Sequence, residues 1–119
     1  MKLAAIDIGS NAARLLINDV IMTQKGKPEF VKLALVRVPL RLGFDVFETG
    51  MISEEKAEKF ITTIKAYKHL LDVYEVKHLI TAATSGMRDA GNSVGIINRI
   101  KQETGLQIDV ITGEDEAKY

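Results

Sequence analysis

Residues 7–11, Asp-Ile-Gly-Ser-Asn, bring an acid, a glycine and two small polar residues together in one short stretch. A turn of this composition can hold a phosphate and its divalent cation. Gly9 lets the backbone come close to a ligand, because it has no Cβ to keep the two apart. Ser10 and Asn11 add side-chain and main-chain donors at the same point. Asp7 offers a hard anionic oxygen of the kind a divalent cation takes. The same residue types also build ordinary hairpin turns, since Asx and Ser side chains bond their own backbone. On this stretch alone both readings stay open.

The flanking segments must position that turn. Residues 3–8, LAAIDI, are apolar except for Asp7 and predict a strand buried on both faces, with the acid at its carboxyl end. Residues 12–20, running on toward Met22, predict a second strand with a polar break at Asn18-Asp19. TQKGK at 23–27 is a polar turn, and residues 30–38 predict a third strand. Lys32 and Arg37 fall on opposite parities of that strand, which predicts an edge strand or a bulge. Three strands joined by short turns make an antiparallel meander.

Residues 41–50, RLGFDVFETG, keep no sustained period and predict a loop. Ser53 is the expected N-cap of a long helix, with Glu54 and Glu55 in its first turn. Ala57, Phe60, Ile61, Ile64, Tyr67, Leu71 and Tyr74 follow at helical spacing, opposite a solvated face carrying Lys56, Lys59, Lys65 and Lys68. HLITAA at 78–83 predicts a fourth strand, and TSGMRDAGN at 84–92 a polar segment after it. Asn92 or Ser93 would cap a helix with Val94, Ile97, Ile100 and Lys101, closed by Gly105. Residues 106–111 predict a fifth strand, and Thr112 to Asp115 read as a helix start with a capping-box acid. A meander followed by βαβ crossovers gives an α/β fold, a five-stranded mixed sheet with helices packed on its faces.

The totals set limits. At 119 residues the chain is one domain. Lys and Arg together number 16, as do Asp and Glu, so no overall field draws it toward nucleic acid or anionic membrane. With no cysteine, disulfides, thiolate metal sites and a thiol nucleophile are excluded. The two histidines, His69 and His78, are far apart and argue against a histidine metal site. The N-terminus lacks a signal-peptide layout and no apolar run approaches the ~20 residues of a membrane span. A soluble, cytoplasmic protein is the expectation.

Three segments resemble the N-terminal lobe of the exopolyphosphatase and guanosine-pentaphosphate phosphatase (Ppx/GppA) family. AAIDIGSNAARLL at 4–16 resembles its first phosphate loop, ATSGMRDAGN at 83–92 its ATSALRDAxN segment, and ITGEDEAKY at 111–119 its ISGxEEARY segment. Arg41-Leu42-Gly43 and residues 49–53 add a looser match to RLGxGLxxTGxLS. The resemblance spans the whole chain in order.

It implies the sugar-kinase/actin-like fold, in which two ribonuclease-H-like lobes close over a phosphate chain. It also implies Mg²⁺-dependent hydrolysis of a terminal phosphoanhydride, in inorganic polyphosphate or guanosine pentaphosphate. By position, Glu116 matches the catalytic glutamate that directs the attacking water, and Arg88 a phosphate-binding arginine. Gly9, Ser10 and Asn11 match the first phosphate loop, and Asp7 its aspartate, expected as the metal-side group. Such chemistry suits these residue types: a planar guanidinium and backbone donors fit phosphate oxygens, and one carboxylate can orient a water held in line. Arg14 and Arg41 either add positive charge nearby or are structural.

Four positions depart from the pattern: Ala12 where a serine is usual, Gly86 for alanine, Asp115 for glutamate and Lys118 for arginine. The chain is expected to be a single lobe cut from a longer two-lobe protein and to be inactive alone, since the second phosphate loop would follow residue 119. A kinase or ATPase of the same superfold, and a non-catalytic sensor of polyphosphate or alarmone, are the competing readings. A lone lobe with an uncovered sheet face could also pair as a homodimer.

Overall fold

The computed structural model describes residues 1–111. Its elements in chain order are β1 (Lys2–Ile8), β2 (Ala12–Met22), β3 (Pro28–Pro39), α1 (Leu42–Thr49), α2 (Glu54–Val73), β4 (His78–Ala83), α3 (Ser85–Asp89) and α4 (Ser93–Thr104). The four strands form one sheet in the order β3-β2-β1-β4. β1–β2 and β2–β3 are antiparallel, and β4 lies parallel to β1. This is the meander followed by a crossover that the sequence pattern predicts. β3 is the edge strand, and its register against β2 shifts between Ile17 and Asn18: Ala34 pairs with Ile17 and Lys32 with Asn18, leaving Leu33 between them. That extra residue accounts for the opposite parities of Lys32 and Arg37.

Alternation along the strands assigns one face to the core. Ala4, Ile6 and Ile8 of β1 and Ala13, Leu15 and Ile17 of β2 are buried together with Ala57, Phe60, Ile61, Ile64 and Tyr67 of α2 and Ile96 and Ile100 of α4. Tyr67 reaches through this layer, its hydroxyl donating to the carbonyls of Ala13 (3.0 Å) and Val36 (3.4 Å). Burial pushes its phenol up to about 12. On the opposite face Ala5 and Asp7 are exposed, so β1 is not buried on both faces as the apolar run predicts.

α2 starts where its sequence says. The Ser53 hydroxyl accepts from the Lys56 amide at 3.2 Å, satisfying one of the orphan donors at the helix start. α4 ends at Gly105, whose left-handed conformation (φ 79°) lets its N–H reach the Lys101 carbonyl. Its buried stripe is Ile96 and Ile100, with Ile97 partly covered; Val94, expected on that face, is 72% exposed.

Two further expectations fail for identifiable reasons, and one segment read only as polar holds a helix. Residues 41–50 are not a loop but the helix α1, in which only Leu42 is buried. Its other large apolar residues include Phe44 (63% exposed) and Phe47 (89%), so the stripe that would mark a helix is missing. The 84–92 segment contains the short helix α3, seated by the buried Met87. Residues 106–111 make no fifth strand, only a single parallel bridge between Ala83 and Val110. The Thr81 hydroxyl lies in the way of a longer ladder: it donates to the Gln107 carbonyl (2.8 Å) and accepts from the Asp109 amide (3.1 Å). A side chain thus occupies backbone groups that a fifth strand would share with β4.

Candidate functional site

The 9–11 turn joins the carboxyl end of β1 to β2, next to the end of the parallel strand β4. Two groups fasten it from within: the Gly9 amide donates to the Ala12 carbonyl (2.9 Å), and the Thr84 amide to the Ile8 carbonyl (2.9 Å). The Thr84 hydroxyl adds a longer bond to the same Ile8 oxygen (3.3 Å). α1 fastens it from outside. The Arg41 amide donates to the Asn11 carbonyl (2.8 Å) and the Gly43 amide to the Ser10 carbonyl (2.9 Å). With those carbonyls taken, the exposed Asn11 keeps its amide and carboxamide donors without an acceptor among the described residues. Fixed carbonyls and available donors are what an anion-holding turn requires.

Asp7, Gly9, Arg14, Thr84 and Ile111 line one open groove of about 680 Å³ on the uncovered sheet face. The cross-strand register explains its two halves. Leu35, Leu16, Ala5 and Ile80 form an apolar row across the four strands, and Arg37, Arg14, Asp7 and Ala82 form the next row toward the turn. Asp7 and Arg14 are direct partners, yet no ion pair joins them among the described residues. The Asp7 carboxylate is exposed and carries no hydrogen bond or ion pair there, so its oxygens are open to a ligand. One such hard oxygen suits Mg²⁺, which binds through one or two carboxylates and completes its shell with water and substrate phosphate. A self-sufficient cage is absent: among the described residues no three His, Cys, Asp or Glu side chains gather as a metal site.

Arg88 sits in α3, one turn beyond Thr84, and its amide donates to the Thr84 carbonyl (3.0 Å). Its guanidinium donates to the carbonyl of Ile111 at 2.8 Å. Ile111 is itself fixed on β4 through its amide to the Ala83 carbonyl (2.9 Å) and belongs to the groove wall. Arg88 therefore reaches the groove wall at Ile111, the last described residue. Glu116, with Asp115, Lys118 and the expected helix start at Thr112, lies outside the described residues. Arg41 is not on the groove wall. It caps α1 in the left-handed region (φ 55°), its carbonyl accepting from Lys56 Nζ (2.9 Å). Lys56 also pairs with Asp45 (2.9 Å), and its hydrogen bond, with that of the Ser53 amide, holds the Asp45 carboxyl below the usual range against a desolvation that raises it.

These segments sit in the order and spacing of a known family. The sequence profile of the Ppx/GppA phosphatase family matches residues 20–119. The chain belongs to the Ppx/GppA phosphatase family. Exopolyphosphatase 1 of Mycobacterium tuberculosis is 32% identical over 118 residues, covering 99% of this chain and 33% of that protein. The crystal structure of the Aquifex aeolicus Ppx/GppA member superposes with a TM-score of 0.88 at 36% identity, covering 100% of this chain and 37% of that one. An exopolyphosphatase from Cytophaga hutchinsonii gives 0.87 at 31% identity, over 99% of this chain and 36% of that one. The chain thus spans about a third of the length of these relatives. Its fold is a Ppx/GppA lobe of the ribonuclease-H-like, actin-like kind, with four strands in place of the expected five. The profile match begins in β2, beyond the 9–11 turn.

Two residues of the site carry no signal in pattern alone. Thr84 is one polar residue among several in its segment, and its hydroxyl bond to Ile8 follows only from the β1–β4 pairing. Gly43 appears in the sequence only as part of the looser RLG match, with no role attached.

Proposed function

We propose that this chain is the N-terminal phosphate-binding lobe of a longer phosphatase that releases terminal phosphate from a phosphoanhydride chain. The substrates in view are inorganic polyphosphate and guanosine pentaphosphate. Family membership supports the reaction class. The observation that carries the reading is the 9–11 turn, with its Ser10 and Asn11 carbonyls bound by α1 and Asn11 donors available beside Asp7.

In this reading Ser10 and Asn11 hold phosphate oxygens through backbone and side-chain donors, Gly9, its own amide taken by the Ala12 carbonyl, lets the phosphate come close to the backbone, and the Arg88 guanidinium neutralises charge at the edge of the groove. Glu116 orients the attacking water and takes its proton as the water adds to the terminal phosphorus; the bridging P–O bond breaks, the terminal group is released as inorganic phosphate, and the shortened chain leaves with the bridging oxygen. Asp7 contributes an oxygen to Mg²⁺, which when bound supplies charge neutralisation to the phosphate oxygens. The second lobe supplies the facing wall, because half a cleft cannot keep water from a reacting phosphoryl group.

The test is phosphate release by the longer protein from both substrates, with and without Mg²⁺. Mg²⁺-dependent release from either supports the reading, and the ratio names the preferred substrate. Saturable binding with no turnover would replace it with a sensor; turnover only with an adenosine nucleotide would replace it with a kinase or ATPase. The 119-residue chain alone is expected to release no phosphate above background.

A further inference from the structure

Residues 41–52 touch both segments that the proposed function puts on the phosphate chain. At one end, the amides of Arg41 and Gly43 hold the Asn11 and Ser10 carbonyls (2.8 and 2.9 Å). At the other, the Gly50 carbonyl accepts from the Gly91 amide (2.9 Å). Asn92 completes that second tie: its carboxamide accepts from the Ile52 amide (3.0 Å) and donates to the Ile52 carbonyl (2.8 Å), a reciprocal pair in the manner of a strand neighbour. Gly91 and Asn92 follow the α3 segment that carries Arg88, with only Ala90 between. Leu40, Leu42 and Ile52, all buried, fix the same stretch to the core.

We propose that residues 41–52 are a positioning strap that sets the spacing between the 9–11 turn and Arg88, with Gly43 as the fitted contact on the turn. It rests on the function proposed above for what that spacing serves. Asn92 anchors the other end.

The geometry at Gly43 is restrictive. A Cβ there would stand 2.8 Å from the Ser10 Cβ and 3.3 Å from its Oγ. Real Cβ atoms do not approach that closely, so either α1 or the turn must move. Gly43 lies inside a helix, where alanine is ordinarily the better residue. Without the contact, Gly43→Ala would stabilise α1; with it, the substitution pushes on the turn. Displacement of about an ångström at a substrate-holding group is enough to cost a large part of turnover.

The experiment uses the longer protein in four forms: parent, Gly43→Ala, Ser10→Gly and the double variant. Each is measured for tripolyphosphate hydrolysis and for melting temperature. Gly43→Ala is expected to lower kcat/KM on the order of tenfold or more in the parent background, and to have little further effect once Ser10→Gly has removed the opposing Cβ. Equal losses in both backgrounds overturn the contact. Asn92→Ala, which unties the far end, is expected to raise KM for tripolyphosphate more than it lowers kcat; unchanged kinetics overturn that anchor. If the parent releases phosphate from neither tripolyphosphate nor guanosine pentaphosphate, the functional reading fails by itself. The strap is then decided by melting, where the loss from Gly43→Ala must vanish in the Ser10→Gly background. Should Gly43→Ala not fold, recovery on adding Ser10→Gly supports the strap and continued misfolding overturns it.

Discussion

On one face of β1, Ala4, Ile6 and Ile8 are buried in a layer shared with α2 and α4; on the other, Ala5 and Asp7 are exposed beside Arg14 and Ile80. The two sets alternate along a single seven-residue strand. The period of two lets one segment serve two purposes that conflict chemically. The covered side excludes water and supplies cohesion through apolar area. The open side keeps a carboxylate solvated and available, which burial would make costly. Stability and ligand chemistry are therefore separable by mutation, residue by residue, within the same strands.

The sharpest way to break this comparison is to truncate one residue on each side. Phe60→Ala, in the covered layer, is expected to cost about 3–5 kcal/mol in urea unfolding of the 119-residue chain. Leu35→Ala, on the open row and 48% exposed, is expected to cost under about 0.5 kcal/mol. A Leu35→Ala penalty as large as that of Phe60→Ala would mean that the open face is covered in solution, as in a homodimer.

A smaller effect sharpens the functional side. Glu116→Gln in the longer protein is expected to lower turnover at least about 100-fold, the scale of an acid–base role, and to leave its unfolding midpoint unchanged. Undiminished phosphate release would remove Glu116 from the mechanism.

A smaller loss than that of Phe60→Ala probes the covered side through a polar group. Tyr67→Phe removes the bond to the Ala13 carbonyl and is expected to cost about 1 kcal/mol. Its pH dependence has a definite sign. The folded-state phenol titrates at about 12, above its ordinary value near 10. Its contribution is thus complete below pH 10 and is lost as pH rises toward 12, where the unfolded chain releases the proton first. Stability measured from pH 9 to 12 should fall more steeply for the parent than for Tyr67→Phe; parallel curves would mean that the hydroxyl reaches water.

Much of this fold can be read in the residues, and the failures share a cause. α2 is legible because Ser53 caps it and its apolar residues recur at helical spacing over its length. β3 is legible down to its irregularity, since Lys32 and Arg37 cannot share a face without a bulge. α1 is hidden because Phe44 and Phe47 are exposed, and a helix seated by one buried leucine and by backbone bonds leaves no stripe. The fifth strand is lost to the Thr81 hydroxyl, a local competition that alternation at 106–111 does not register. Asn92 stands at the N-cap position of α4, but its carboxamide is taken by Ile52, forty residues away in sequence. For the site, Asp7, Gly9, Ser10 and Asn11 are recognisable from type and order. The Arg88 bond to the Ile111 carbonyl is not, because its acceptor is a backbone atom and any residue supplies one.

The β2–β3 hairpin runs past the rest of the sheet. β1 pairs with β2 only as far as Asp19, whereas β3 continues beside it to Met22. Its tip, closed by the Thr23 amide on the Lys27 carbonyl (3.0 Å), projects from the end of the sheet opposite the Gly-Ser-Asn turn. That makes the tip a convenient splice point: a fluorescent reporter or affinity peptide inserted there would ride on two paired strands, and the same insertion between residues 41 and 52 would change a length on which two distant segments depend.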